Sequence, residues 1–391
     1  MKKIVLVLMA LALVAGSVFA APSKKVTLKV WESQGPEEKF IKQAIKDYRK
    51  VDRNVKFIYE PVGSVDADGK IMLDGPAGVG ADVFVVPHDH MGSLVIGGHI
   101  LENTMDMSAF VPAAVIGASY GGKVYGYPLA VETYALFYNK DIIPNPPKTW
   151  EEVFEFAKTW TDKSKNKYAI AWPVTDAYYD FLFYAGYGAQ LFGPNGDDRH
   201  QHNLNSPEAV KGVQFFQQVR KQILDVPSGD MTGDFVKSSF QEGTIPMVLG
   251  GPWDIAVYKE AGVNFGITTL PILPGAKDVP ASFSGVRLAV VSAYSENPEQ
   301  AKKFAEFLVS REELVKRFDI TGQIPPRKDI TVEDEWSQGI LAQSQYAIPM
   351  PKITQIGTYW SAMGAAFANV WDGADPVDEL NKAAAAMEAA R

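Results

Sequence analysis

The sequence predicts an α/β fold divided into two domains, and three observations carry that prediction. A chain of 391 residues, 47% hydrophobic and 21% charged, is longer than one simple core organises. Its first hundred or so residues alternate strand-like and helix-like patterns with connections too long for hairpins, which implies parallel strands joined by crossover helices. The apolar pattern then continues to the C-terminus without an internal repeat or a low-complexity tract, so the second half needs a core of its own.

Taken in order, Lys25 to Trp31 alternates and predicts a strand. After Gly35 and Pro36, the residues Phe40, Ile41, Ala44, Ile45 and Tyr48 recur at helical spacing among Glu37, Glu38, Lys42 and Lys46. Val55 to Glu60 and Ala81 to Val86 read as the next two strands. A long β-type segment runs from Val124 to Asn139 and is stopped by Pro144, Pro146 and Pro147. Thr149 with Glu152 predicts a capping box for a helix carrying Trp150, Val153, Phe154, Ala157 and Trp160. Ser206-Pro207 opens a helix, Ile245 to Leu249 is a strand ending at Gly250-Gly251-Pro252, Asn297-Pro298 opens another helix, and the alanine-rich stretch from Pro376 is helical.

The chain starts with an address label. Met1-Lys2-Lys3, an apolar run from Ile4 to Val14 and the small-residue stretch Gly16 to Ala21 follow the order of a secretory leader, with cleavage expected after Ala20. The apolar part is shorter than the roughly 20 residues that span a bilayer, and no later stretch approaches a membrane span. There is no cysteine, so no disulfide staples the exported fold and no lipid is attached after the leader. A free periplasmic protein is expected. Acids outnumber bases 46 to 38, for a formal charge of -8, which removes the basic footprint of a nucleic-acid or anionic-membrane binder.

Chemistry-bearing motifs are few. His88-Asp89-His90 and His200-Gln201-His202 bring imidazoles close together, but neither has the helical spacing or third ligand of a zinc motif, so no metal is expected. Glycine-rich Gly75 to Gly80 precedes a strand instead of following one and lacks the Lys-Ser or Lys-Thr of a phosphate cradle. No Gly-x-Ser-x-Gly elbow is present. Glu132 and Asp176 can serve as the acid and nucleophile of a glycosidase if their separation allows it. Equally, a carboxylate accepts two hydroxyl hydrogen bonds from a sugar, while the apolar C–H faces of the ring pack on aromatic side chains such as Tyr178, Tyr179, Trp253 and Trp360. Each of these rings taken alone is ordinarily core.

Tyr127-Pro-Leu-Ala-Val-Glu132, Tyr138-Asn-Lys-Asp141 and the octet NPPKTWEE at 145–152 closely resemble the maltose/maltodextrin-binding proteins of bacterial ABC importers. Asp82-Val-Phe-Val-Val-Pro-His88-Asp89, Gly251-Pro252-Trp253 and Met350-Pro351 with Trp360 add to the match, in family order along the mature chain. The resemblance implies two α/β lobes joined by hinge segments around a ligand cleft. Mapped here, residues 1–20 are the leader, 21–130 plus 285–330 the first lobe, and 135–282 plus 335–391 the second, with crossings near 129–134, 283–289 and 331–336. It also implies a monomeric, non-enzymatic periplasmic receptor without cofactor, which closes on an oligosaccharide and delivers it to a membrane permease.

Residue by residue, the resemblance implies sugar-hydroxyl acceptors at Asp89 and Glu132, stacking rings at Tyr178, Trp253 and Trp360, and further ligand contacts at Asp176, Tyr179, Asp68, His90 and Met350. Asp176 replaces a glutamate and Tyr179 a phenylalanine. Departures bear on specificity: Val86 stands in place of a tryptophan, His90 and Gly364 in place of arginines, and Ser33, Gly35 and Pro36 in place of Asn, Asp and Lys. A weakened polar clamp and a roomier cleft follow, suited to a longer maltodextrin or a different disaccharide such as trehalose.

Overall fold

The computed structural model describes residues 25–194 and 196–390; the expected leader over residues 1–20 lies outside the described residues. Strand Val26–Glu32 pairs in parallel with Val55–Pro61 and with Val83–Pro87, and helix Pro36–Val51 makes the first crossover. That helix buries Phe40, Ile41, Ala44, Ile45 and Tyr48, the face its spacing marks. Arg49 and Lys50 occupy its last turn, where positive charge complements the helix dipole.

Strand Phe283–Val291 completes this first sheet. It runs antiparallel to Val83–Pro87 on one edge and to Tyr127–Thr133 on the other, and short Ile348–Pro349 joins it in parallel. Nearly all of its residues are buried, so it lacks the polar alternation by which a half-exposed strand is recognised. From sequence it shows only as a chain crossing.

The expected single β segment from Val124 to Asn139 is divided. Val124 belongs to a small hairpin, Tyr127–Thr133 to the six-stranded sheet, and Ala135–Asn139 to a second sheet between Met247–Gly250 and Phe265–Thr268. Tyr134 lies between the two longer strands and is fully buried. Both strands are buried almost throughout, so no alternation of polar and apolar residues marks the change of partner.

Two hydrophobic cores result. One gathers side chains from Val26 to Leu129 together with Val286 to Leu314; the other gathers Tyr134 to Phe283 together with Ile324 to Met387. The segment after Leu314 touches both, since Ile324 and Val332 enter the second core while Phe110 and Arg327 form a backbone bridge on the first.

The caps follow the sequence with two changes. Ser206 Oγ accepts the Ala209 N–H at the start of Pro207–Gln222, and Thr149 Oγ1 accepts the Glu152 N–H at the start of Trp150–Trp160. The Glu152 carboxylate takes the Lys148 N–H at 2.6 Å, one residue before the expected partner. Asn297 precedes helix Pro298–Leu308 without a side-chain cap, its backbone at φ -130° and ψ 55° lying outside the extended geometry that Ser206 and Thr149 adopt.

Candidate ligand-binding cleft

Between the two cores opens a cleft of about 880 Å³. Asp89, His90, Glu132, Asp176, Tyr178, Tyr179, Trp253, Met350 and Trp360 line it together. Asp68 does not. It stands behind His90, with Oδ2 2.9 Å from His90 Nδ1, so its contact to the cleft is indirect.

The first wall is built at the carboxyl end of a parallel strand, where open α/β sheets place their ligands. Strand Val83–Pro87 ends in the single turn His88–His90, which turns Asp89 and His90 toward the cleft. His88 points inward and fixes this turn: its Nδ1 accepts the Val286 N–H at 3.2 Å, so Nε2 carries the proton and donates to the Met350 carbonyl at 3.1 Å. Burial pushes its pKa down to about 4, and with both nitrogens committed the ring is structural, not a metal ligand. Among the described residues no cluster of three or more His, Cys, Asp or Glu side chains is arranged to hold a metal.

Asp89 is 4% exposed. Its Oδ2 accepts the Trp360 indole N–H at 3.1 Å, whereas its Oδ1 is buried without a donor among the described residues. Burial opposes a charge on His90, but the flanking Asp68 and Asp89 carboxylates outweigh it and raise its pKa.

At the cleft floor, Glu132 and Arg287 come from adjacent antiparallel strands. Arg287 Nη1 donates to Ser64 Oγ at 2.9 Å, and Nε and Nη2 lie 3.4 and 3.5 Å from the two Glu132 carboxylate oxygens. Sequence reasoning missed Arg287. The one signal was an arginine inside the apolar run Phe283-Ser-Gly-Val-Arg-Leu-Ala-Val-Val291, a cation that burial tolerates only with partners.

The second wall is aromatic. Asp176 caps helix Ala177–Ala185 by accepting the Tyr178 N–H at 2.9 Å, and the following two tyrosines face the cleft. Asp176 is open to the cleft but surrounded by protein, and that desolvation raises its pKa. Burial likewise holds both phenols protonated, so each can donate as well as accept. Phe283 backs this wall, with ring centroids 6.2 Å from Tyr178 and 5.4 Å from Trp360. Trp253 begins helix Pro252–Glu260 with its indole folded over Gly251, where a Cβ would meet the ring at 2.3 Å. A side chain at position 251 would therefore displace the Trp253 ring from its present place.

Residues 43–344 match the family of bacterial extracellular solute-binding proteins. The chain belongs to that family. This solute-binding protein is 33% identical to the galactooligosaccharide-binding protein of Bacillus subtilis, covering 93% of this chain and 89% of that one. It is 32% identical to the maltodextrin-binding protein of the same organism, over 74% of this chain and 72% of that one. Among solved structures, the Thermus thermophilus maltotriose-binding protein with bound maltotriose superposes with a TM-score of 0.86 at 27% identity, covering 93% of this chain and 99% of that one.

The family is one of exported, non-enzymatic binding proteins. Glu132 is paired with Arg287 and Asp176 with a helix N-terminus, which suits acceptors of hydroxyl hydrogen bonds. The sequence departures are placed unevenly. Ser33, Gly35 and Pro36 line the cleft. Val86 is fully buried and paired with Leu288, so it widens nothing. Gly364 lies against the Thr175 carbonyl, where a Cβ would stand 2.9 Å from the oxygen, so helix Ile356–Trp371 approaches too closely for a side chain.

Proposed function

We propose that this solute-binding protein captures a neutral oligosaccharide of the maltodextrin type between two lobes and delivers it to an ABC importer permease. One observation carries the reading: among the described residues the buried Asp89 carboxylate keeps one oxygen without a donor, in a cleft whose other side carries Tyr178 and Trp253, with Trp360 between the two. A sugar supplies what each side lacks, hydroxyl donors for the acid and C–H faces for the rings. Relatives named for maltodextrin and maltotriose, and the Thermus structure holding maltotriose, support that class. The lobes are 21–130 plus 285–330 and 135–282 plus 335–391, turning about 129–134, 283–289 and 331–336. Export uses a leader removed after Ala20, and with no cysteine for acylation the protein works free in the periplasm.

A second reading has its own support, since the B. subtilis relative at 33% identity is named for galactooligosaccharides. Titrating tryptophan fluorescence and binding heat with maltose, maltotriose, maltotetraose, trehalose and β-1,4-galactotriose separates the two. The expected outcome is micromolar affinity, about -8 kcal/mol, for maltotriose or maltotetraose. Tighter binding of galactotriose moves the assignment to the second reading, and chromatography showing shortened maltotetraose overturns the receptor role.

A further inference from the structure

We propose that Arg287 is a specificity-determining ligand contact, reading two neighbouring hydroxyls of one sugar ring jointly with Glu132. This deepens the oligosaccharide reading and rests on it. Arg287 lines the cleft, is only 8% exposed as a residue, and is anchored by Nη1 to Ser64 Oγ at 2.9 Å. Its approach to Glu132 is long. Nε and Nη2 stand 3.4 and 3.5 Å from the carboxylate, against about 2.7–2.9 Å for a closed charge-assisted pair. Of its five N–H groups only three are directed at protein acceptors, and each Glu132 oxygen keeps a lone pair beyond that long contact.

Register makes the pair a rigid reader. Glu132 stands opposite Gly285 and Arg287 is two residues along the same strand, so both side chains rise from one face of the sheet as diagonal neighbours. A ring that presents two adjacent equatorial hydroxyls donates from one to the carboxylate and accepts at the other from the guanidinium. An axial epimer loses one of the two bonds and leaves a buried charge poorly satisfied.

Arg287 also offsets the charge of Glu37, but Glu37 and Glu132 both line the cleft, so this neutralisation takes place at the cleft and not behind it. The buried acid outside the cleft lining, Glu32, receives Arg317 Nη1 at 3.1 Å and has a cation of its own, whereas Glu37 receives only the neutral Gln323 Nε2 at 2.8 Å. The guanidinium is therefore left facing the cleft. Ser33, Gly35 and Pro36, at the same wall, offer no charged donor.

Calorimetric titration of the full chain with maltotriose and with β-1,4-galactotriose tests this on wild type, Arg287→Met, Glu132→Gln and the double variant. The expected result is a loss of about 10-fold or more in maltotriose affinity for Arg287→Met, a clear further loss when it is added to Glu132→Gln, and a smaller ratio between the two sugars. Arg287→Lys, which keeps the charge but not the planar fork, is expected to lose discrimination as well and serves if the Met variant does not fold. Arg287→Met within twofold of wild type, or without effect in the Glu132→Gln background, overturns the assignment while the oligosaccharide reading stands. Wild-type protein that binds neither trisaccharide overturns both.

Discussion

The first-lobe wall of the cleft is held by hydrogen bonds and the second-lobe wall by ring packing. Asp89, His90, Glu132 and Arg287 each depend on one or two directed partners, such as Trp360, Asp68 and Ser64. Tyr178, by contrast, touches Tyr134, Tyr179, Trp253 and Phe283 at centroid distances of 5.1–6.2 Å, and no single contact fixes it. Directed bonds fail abruptly when a partner is misplaced, whereas packed rings tolerate small shifts. The polar wall is therefore suited to choosing a sugar and the aromatic wall to supplying contact area.

The largest effect is expected at Trp360, which belongs to both walls. Trp360→Ala removes a stacking face and the donor to Asp89, and affinity should fall by about 30-fold to 100-fold or more. Because this ring also packs on the second core, the melting temperature should fall with it. Trp253 is the control: it lies over Gly251 and is not among the rings packed against that core, so Trp253→Ala should cost comparable affinity with little change in melting. Equal destabilisation by both variants would break the distinction between a core ring and a cleft ring.

Asp89→Asn keeps the shape and removes the charge, so about a 10-fold loss of affinity is expected by calorimetry. Two histidines then sharpen the polar wall through pH. The raised pKa of His90 gives stability that is complete below about pH 6.5, the unfolded value, and is lost as pH rises through its folded pKa; His90→Gln should flatten that limb of a melting-temperature profile. His88 slopes the other way. Its folded pKa near 4 means stability is complete above about pH 6.5 and declines as pH falls toward 4. The smallest effect is expected at Lys39 and Glu260, an exposed pair 2.5 Å apart linking the two lobes, where Lys39→Ala should change stability by less than about 0.5 kcal/mol.

Local signals in the sequence reached the elements they govern. The strand–helix–strand opening and the caps at Thr149 and Ser206 are short-range patterns, and the structure shows them nearly as read. The break at Tyr134 and the strand Phe283–Val291 were not legible, because burial on both faces erases alternation. The cleft lay beyond any spacing rule: Asp89 and Trp360 are 271 positions apart. Only the family resemblance placed them in one site, and it offered no counterpart for Arg287, whose role depends on strand register. Asp68 was nominated for the cleft and lies behind His90, a difference of one layer that no motif encodes.

The bond from the Trp360 indole to Asp89 has a consequence for selection. It uses Oδ2 alone, so the indole fixes the orientation of the carboxylate and leaves Oδ1, which has no donor among the described residues, as the acceptor that a hydroxyl-bearing solute would use without displacing the indole. A single intramolecular contact thereby ties the polar wall to the aromatic wall and holds the carboxylate in place before any solute arrives.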